Sequence, residues 1–322
     1  MKAVRVERLD GPSALVFGDV PDAEAGPDQV LIEVHAAGVT FPDVLQSQGR
    51  YQYKPELPFV LGSTVAGIVR QAPPTSALHV GQRVCALPSA GGFAELAVAA
   101  PSRVFVLPEQ LSLAAAAAAP FNYLTVQFAF TRRARLQSGE TVLVHGAGGG
   151  LGSAAVQFAH AVGARVIAVV SSAEKGDVAV AAGAHDVVTV EGFRDTVSQL
   201  TGGRGVDVIF DPVGGDRFTD SLRSLATEGR LLVVGFTGGE IPTVRVNRLL
   251  LNNLDVVGVG WGAYLDGRPE YLQEQWQQLL PLFAGGALRP VIGANYSLAE
   301  AADAVSALDN RQAVGNVVLT VR

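Results

Sequence analysis

The chain has 322 residues, of which 48% are hydrophobic and 17% charged. This balance is typical of a globular protein with large buried cores, excludes disorder, and the length allows two domains. The formal net charge of −6, without any basic run, argues against nucleic acid or an anionic membrane surface as the main partner. The first ten residues carry several charges and form no apolar signal segment, so we expect a cytoplasmic protein.

The first third of the chain consists of short β-type runs separated by Gly and Pro turns. These runs are KAVRVERL, QVLIEVHAAGV, GIVRQ, QRVCAL and FAELAVAA. They predict a compact, mostly antiparallel, barrel-like domain over residues 1–106. Cys85 is the single cysteine, which excludes an internal disulfide and a multi-cysteine zinc site. Its position in a strand-like run predicts a small core residue.

Residues 111–131 form an uncharged stretch with six consecutive alanines. By length alone it could cross a membrane. However, Pro120, Asn122, Tyr123 and Gln127 lie near its middle, and alanine is only weakly apolar. We therefore predict a buried helix, a break and a second helix.

A glycine cluster follows, between an apolar run and an apolar helical pattern. Residues 142–144 are predicted as a buried parallel strand, and residues 153–161 as a helix. Between them, Ala147, Gly149 and Gly152 follow the pattern A-x-G-x-x-G, in which helix N–H groups face a pyrophosphate. A purely structural turn is the alternative. The apolar run that follows, ARVIAVV, completes a β-α-β unit and favours the phosphate site.

Strands and helices alternate from residue 141 to about residue 260. Six strands are predicted, in TVLVHG, ARVIAVV, DVVTV, VDVIFDPV, GRLLVVGF and LDVVGVG, with helices such as 153–162 and 218–225 between most of them. This pattern predicts a doubly wound parallel sheet whose ligand lies beyond the carboxyl ends of the strands. The last apolar strand, within 254–260, would aggregate if left bare, which predicts a homodimer paired along it.

The tail of the chain no longer shows the regular alternation of strands and helices. It is predicted to contain helices at 271–283 and 298–308 and a closing strand at 316–321. We expect this tail to rejoin the first domain. A cleft between the two domains then becomes the expected substrate site.

The end of the second strand of the β-α-β unit discriminates between dinucleotides. An acidic residue there would bind the ribose 2′-hydroxyl and repel a 2′-phosphate. This chain has Ser171 and Ser172 instead, followed by Glu174 and Lys175. Lys175 can place a cation beside a 2′-phosphate, although it can equally be a solvated first-turn residue. NADPH is therefore favoured over NADH.

Several segments in this order and spacing resemble the medium-chain dehydrogenase/reductase superfamily, and within it the zinc-independent quinone oxidoreductase branch that includes zeta-crystallin. They are residues 38–43, 49–51, 55–60, 62–67, 81–84, 91–95, the glycine cluster, 201–203, 206–208 and 211–215. The resemblance implies an α/β fold with two domains. These are a GroES-like β-rich catalytic domain, 1–120 completed by 264–322, and a Rossmann NADPH-binding domain with a doubly wound parallel sheet, 121–263.

The zinc-dependent alcohol dehydrogenases of that superfamily hold catalytic zinc with a Cys, a His and a further Cys. The matching places in this chain are Thr40, Ser63, and Phe121 or Asn122, none of which is a usual zinc ligand. The five histidines lack metal-ligand spacing. We therefore expect no metal site, and direct hydride transfer.

The resemblance implies two catalytic residues in the first domain. Thr40 stands where the family usually has Asn, so its shorter side chain weakens one hydrogen bond to the acceptor. Tyr51 is the candidate donor to the oxyanion that forms on the acceptor. An aromatic side chain packed under a loop is the alternative for Tyr51, and Tyr53 is the neighbouring candidate.

The resemblance also implies a set of residues that contact the cofactor. They are Gly149, Gly150 and Leu151 for the pyrophosphate, Asn122 and Thr125 for the nicotinamide ribose, Phe236 and Thr237 for the nicotinamide end, and Ser171, Lys175 and Arg311 for the 2′-phosphate.

The expected function is NADPH-dependent reduction of a quinone or a related electron-poor acceptor. Two alternatives stay open. An enone or 2-enoyl thioester reductase would use the same chemistry, and Arg50 and Lys54 could hold a CoA thioester. A non-catalytic, NADPH-binding zeta-crystallin-like protein is the other, although the acidic pI near 5.4 counts against an RNA-binding role.

Overall fold

Two sets of β-strands, one antiparallel and one parallel, organise the chain. The computed structural model describes residues 1–88 and 91–322. One unit contains Met1–Leu124, Arg268–Ala284 and Pro290–Arg322, and the other contains Thr125–Gly267 and Gly285–Arg289.

The helices and strands follow one another in three groups. The first group is β1 (Lys2–Val6), β2 (Leu15–Asp19), β3 (Val30–Val39), α1 (Phe41–Ser47), β4 (Phe59–Val60), β5 (Val65–Gln71), β6 (Arg83–Ala86), β7 (Leu96–Ala99) and β8 (Val104–Val106). The second group is α2 (Leu113–Gln127), β9 (Thr141–His145), α3 (Gly150–Ala161), β10 (Arg165–Val170), α4 (Ala173–Ala181), β11 (Asp186–Thr189), α5 (Phe193–Leu200), β12 (Val206–Asp211), α6 (Phe218–Arg223), β13 (Leu225–Val233), α7 (Asn247–Asn252), β14 (Asp255–Gly258) and α8 (Trp261–Leu265). The third group is α9 (Tyr271–Ala284), β15 (Ile292–Ser297), α10 (Ala301–Asp309) and β16 (Asn316–Thr320).

The second unit is built on a six-stranded parallel sheet in the order β11-β10-β9-β12-β13-β14. All six predicted apolar runs form these strands. Numbered from β9, the order is 3-2-1-4-5-6, the order of dinucleotide-binding sheets, with the reversal between β9 and β12. The predicted doubly wound parallel sheet is therefore confirmed.

The first unit contains a three-stranded sheet, β2-β1-β4, and a seven-stranded sheet in which β7 pairs with β3 beside the path β15-β16-β3-β5-β6-β8. The pairs are antiparallel except for β15 with β16. Strand β16 brings the tail to β3, with Val317 opposite Val39. Because β3 ends at Val39, the next residue, Thr40, begins the turn into α1.

The break expected within residues 111–131 is wrong. Helix α2 continues through Pro120 and passes into a π-helix, Phe128–Ala134. Proline removes one backbone donor and crowds the preceding turn, yet the helix continues through it. Side chains also hold nearby carbonyl groups: Thr64 Oγ1 donates to Ala117 at 2.8 Å and Asn122 Nδ2 to Ala118 at 3.3 Å.

The same helix, Leu113–Ala134, is long and apolar enough to cross a membrane by length and composition. However, 78% of its most apolar window is buried inside the protein. This degree of burial is what a core helix of a globular unit shows.

Cys85 lies in β6 and is fully buried, which confirms the core position predicted for it. Burial raises the pKa of its thiol well above the usual value. A buried neutral thiol of this kind is a poor nucleophile.

The close approach of β5 to β3 generates a stability prediction. A Cβ on Gly67 of β5 would lie 1.8 Å from the backbone oxygen of Glu33, so the strands would have to separate. We expect Gly67→Ala to lower the free energy of unfolding by about 3 kcal/mol, measured by thermal melting. Gly18→Ala in β2 is the control, because no atom of the described residues lies within 4 Å of its Cβ. Equal melting midpoints for the two variants would contradict this packing.

Candidate active site

The glycine turn after β9 closes tightly at the carboxyl edge of the parallel sheet. Gly146 has a φ of 62°, a conformation that favours glycine, and its oxygen accepts the N–H of Gly149 at 3.0 Å. A Cβ on Gly152 would lie 2.1 Å from that same oxygen. Helix α3 can therefore begin directly behind the turn only because position 152 is glycine.

A second contact of this turn lies outside the glycine fingerprint. A Cβ on Gly148 would lie 2.4 Å from Cβ and 2.6 Å from the backbone oxygen of Lys175. The first turn of α4 thus packs directly on the glycine turn. The structure brings together Lys175 and the glycine turn, two parts that the sequence suggested separately.

The residues predicted to bind the 2′-phosphate follow the second strand of the β-α-β unit. Strand β10 ends at Val170, and Ser171 follows as an exposed residue. Ser172 caps α4, and its Oγ accepts the N–H of Lys175 at 3.4 Å. Lys175 is half-buried. Ser171 precedes α4, and Lys175 lies in its first turn, where it contacts Gly148 of the glycine turn.

The N-terminus of α3 is arranged to receive an anion. Gly149 is the N-cap, and within the described residues no side chain caps it. Gly150 and Leu151 are half-exposed, and the first N–H groups of a helix have no acceptor inside the helix. A Cβ on Gly149 would meet Gly146 oxygen only at 3.5 Å. These N–H groups and the helix dipole fit a phosphate group.

The loops after β12 and β13 form one hydrogen-bonded layer at the same edge of the sheet. The backbone N–H and Oγ1 of Thr237 both donate to Pro212 oxygen at 3.1 Å. Asp211 Oδ1 accepts the N–H groups of Val213 and Gly214, each at 2.9 Å. Phe236 packs over Gly214, since a Cβ at position 214 would lie 3.1 Å from its ring, and Phe236 is 38% exposed.

The residues predicted near the nicotinamide ribose are buried on α2. Asn122 donates through Nδ2 to Ala118 oxygen and, at 2.8 Å, to Asn316 Oδ1. Asn316 in turn donates to Val291 oxygen at 2.9 Å. The amide hydrogens of Asn122 are thus engaged within the first unit, a role that the sequence did not indicate. Thr125 begins the second unit and is also buried.

Arg311 lies in the first unit, in the turn after α10. Its φ is 57°, its side chain is exposed, and its N–H donates to Leu308 oxygen at 3.0 Å. Its predicted contact with a 2′-phosphate stays a prediction.

The predicted catalytic residue Thr40 belongs to a buried polar cluster in the first unit. Its N–H and its Oγ1 both donate to Asp43 Oδ2 at 2.7 Å. Ser63 Oγ lies 3.3 Å from both Asp43 Oδ1 and Thr40 Oγ1. Thr40 and Ser63 occupy two of the positions that match zinc ligands. In this structure their hydroxyl groups contact the carboxyl group of Asp43 and each other.

Sequence reasoning did not single out Asp43, although the spacing of Thr40 and Asp43 is that of a capping box. Its side chain is fully buried, and this burial raises its pKa to about 6 despite the hydrogen bonds from Thr40 and Ser63. Tyr51 is half-buried, and its pKa is raised by burial and then by the charge of Asp43. The Tyr51 hydroxyl therefore stays protonated at neutral pH. Tyr53 is largely exposed.

Across residues 1–88 and 91–322, no group of three or more His, Cys, Asp and Glu side chains is arranged to hold a metal ion. Thr40 and Ser63, at positions that match zinc ligands, carry neutral hydroxyl groups, which are not usual zinc ligands.

Comparison with known families matches both halves of the chain. Residues 26–109 match the alcohol dehydrogenase GroES-like domain, and residues 150–285 match the zinc-binding dehydrogenase family. The GroES-like and Rossmann-type domains expected from the sequence are thereby confirmed. The second family is named for zinc binding, yet two of the positions of this chain that match zinc ligands, Thr40 and Ser63, carry hydroxyl groups.

Individual relatives cover nearly the whole chain. Quinone oxidoreductase-like protein 2 of Bos taurus is 38% identical over 96% of this chain and 89% of its own length. A probable oxidoreductase from Mycobacterium abscessus is 43% identical, with a TM-score of 0.92 over 100% of this chain and 99% of that one. The quinone oxidoreductase of Thermus thermophilus, solved also in complex with NADPH, is 37% identical, with a TM-score of 0.87 over 100% of both chains.

Near-complete coverage at these identities, two matching domain families and the residues at the zinc-ligand positions lead to one assignment. The chain belongs to the zinc-independent quinone oxidoreductase branch of the medium-chain dehydrogenase/reductase superfamily.

Proposed function

We propose that this protein is an NADPH-dependent quinone oxidoreductase that delivers hydride directly, without zinc. The observation that carries the proposal is the contact of Gly148 with the first turn of α4. Through it, the start of α3, where a pyrophosphate would bind, adjoins the cation that a 2′-phosphate needs. The NADPH complex of the similar Thermus thermophilus enzyme supports this choice of cofactor.

The residues fit the two ends of NADPH differently. The N–H groups of Gly149, Gly150 and Leu151 would hold the pyrophosphate, and Ser171 and Lys175 the 2′-phosphate. The remaining residues of the proposed cofactor site are Phe236 and Thr237 at the nicotinamide end, Asn122 and Thr125 at its ribose, and Arg311 at the 2′-phosphate. When bound, the nicotinamide supplies a hydride to an electron-poor acceptor.

The protein's own task is then to position the acceptor and to exclude water. Tyr51 is proposed to donate a hydrogen bond to the acceptor oxygen as negative charge develops on it. A phenol is protonated at neutral pH and can donate this hydrogen bond. Thr40 lies in the polar cluster with Asp43 and Ser63, and its hydroxyl donates to Asp43.

A quinone or an alkene conjugated to a carbonyl is electron-poor enough to accept hydride without a Lewis acid. An alcohol–carbonyl interconversion in this superfamily instead relies on zinc to polarise the oxygen. The hydroxyl groups of Thr40 and Ser63 therefore favour the first class of substrate.

Reduction of an enone or a 2-enoyl thioester is the second candidate. Arg50 and Lys54 are both exposed and lie in the segment that carries Tyr51. Their charges could bind the phosphates of a CoA thioester.

We also propose that the protein forms a homodimer along β14. This strand is the edge of the parallel sheet, so one side of its backbone lacks a partner strand within the described chain. Four large apolar residues in the segment that precedes this strand are strongly exposed: Ile241 at 70%, Val246 at 71%, Leu250 at 78% and Leu251 at 75%. A second copy of the chain would cover both the edge and these side chains.

A substrate panel tests the reaction. We expect NADPH oxidation with 1,4-benzoquinone or 9,10-phenanthrenequinone, faster than with enones or enoyl-CoA esters, and unchanged by a zinc chelator. Absorbance at 340 nm follows the reaction. Loss of activity after chelation would reject the metal-free mechanism, and preference for enoyl-CoA esters would favour the second candidate.

Lys175→Ala tests the cofactor site. Loss of one charge-assisted contact should raise the KM for NADPH about tenfold, while the KM for NADH stays unchanged. Lys2→Ala is the matched control, because Lys2 pairs with Asp19 at the surface of the first unit. Equal effects of Lys175→Ala on both cofactors would show that Lys175 does not contact the 2′-phosphate.

The double variant Leu250→Glu/Leu251→Glu tests the dimer. Charges on this face should dissociate it, so that sedimentation gives a dimer for the wild type and a monomer for the variant. Val180→Glu on α4 is the control, since Val180 is 59% exposed at another surface position. A monomeric wild type at working concentration would refute the proposal.

A further inference from the structure

Three side chains of the first unit close a ring of hydrogen bonds. Thr40 Oγ1 donates to Asp43 Oδ2 at 2.7 Å, while Ser63 Oγ lies 3.3 Å from Asp43 Oδ1 and 3.3 Å from Thr40 Oγ1. Each oxygen of the carboxyl group thus faces a hydroxyl group that both accepts and donates a proton. Such a ring can pass a proton from one member to the next.

The position of Asp43 favours storage of a proton. Its side chain is fully buried. The groups that act on it are the two hydroxyl groups and the Thr40 N–H, and no cation of the described chain is among them; Tyr51 is the titratable neighbour. A carboxyl group taken out of water without a cation favours its neutral form, and its pKa is accordingly about 6.

A second capping motif in the same unit shows that helix capping alone does not require this arrangement. The N–H and Oγ of Ser297 both donate to Glu300 Oε2, at 2.8 and 2.7 Å, as those of Thr40 do to Asp43. Glu300 is exposed, however, and the hydrogen bonds from Ser297 lower its pKa. Burial and the added Ser63 therefore distinguish Asp43 from a simple capping residue.

We propose that Asp43 stores the proton that completes reduction of the acceptor and that Ser63 passes it on. This proposal rests on the proposed function, in which an oxyanion remains on the acceptor after hydride transfer. Ser63 Oγ gives its proton to that oxyanion and takes the proton of Asp43 Oδ1. One O–H bond forms on the product, the Asp43 carboxyl becomes a carboxylate, and water later returns the proton.

The three residues have different parts in this step. Ser63 is half-buried and is the member of the ring through which the proton leaves. Asp43 acts only through Ser63 and is a positioning residue. Thr40 fixes the second carboxyl oxygen by two hydrogen bonds, which leaves the first oxygen facing Ser63.

Titration of the Asp43 carboxyl tests the storage step without any acceptor. In protein labelled with ¹³C at the aspartate carboxyl carbons, we expect one resonance to titrate near pH 6 and to vanish in Asp43→Asn. In Ser63→Ala the midpoint should rise, because a hydrogen bond to the carboxylate is lost. A midpoint below about 4.5, near that of a free aspartate, or an unmoved midpoint in Ser63→Ala would overturn the proposal.

Kinetics test the transfer step. We expect Asp43→Asn and Ser63→Ala to lower kcat for quinone reduction about 100-fold, with an unchanged KM for NADPH. Wild-type kcat should fall as the pH rises through about 6, because the stored proton is then lost, and should show a solvent deuterium isotope effect. Both features should disappear in the variants, and Glu300→Gln should retain them.

The outcomes separate the two proposals. Variants that keep the wild-type pH profile and isotope effect overturn the relay while leaving the quinone reductase intact. If Asp43→Asn fails to fold, Ser63→Ala decides alone, since it leaves Thr40 and Asp43 in place. A wild-type protein that reduces no quinone or enone overturns the proposed function and the relay with it, whatever the carboxyl titration shows.

Discussion

The cofactor end of the second unit depends on one constraint: the glycine turn after β9 must contact neighbouring backbone directly, with no side chain between them. The turn after β9 lies so close to α3 and α4 that a Cβ atom on either of two glycines would collide. A Cβ on Gly152 would lie 2.1 Å from the backbone oxygen of Gly146, and a Cβ on Gly148 would lie 2.6 Å from the backbone oxygen of Lys175. These collisions would involve main-chain atoms, which cannot rotate away. The starts of α3 and α4 are therefore held at one point beyond the sheet, and the exposed N–H groups of α3 follow from it.

The parallel sheet was predictable because buried parallel strands are continuous apolar runs. Strand β15 was not predicted, since IGANYS contains no continuous apolar run and its parallel partner β16 lies beyond α10. The wrong prediction of a break within residues 111–131 had a similar origin. Local propensity disfavours proline inside a helix, whereas carbonyl groups near Pro120 accept hydrogen bonds from Thr64, which is distant in sequence, and from Asn122 of the same helix.

The candidate site was predictable where a motif is contiguous and not where it is assembled across the chain. The glycine turn and Lys175 could be recognised from residues close together in sequence. The partnership of Asp43 with Ser63 spans 20 positions, and that of Asn122 with Asn316 spans 194. Whether a carboxyl group at helix position three is solvated, like Glu300, or buried, like Asp43, is decided by what packs around it.

The contact at Gly148 has a consequence for substitutions at position 175. Gly148 meets the main chain and Cβ of residue 175, atoms that every amino acid except glycine provides. The outer part of that side chain is not needed for the packing. A substitution at position 175 can therefore change the charge of this side chain and leave the packing of the turn intact. Charge and packing are thus separable at one residue.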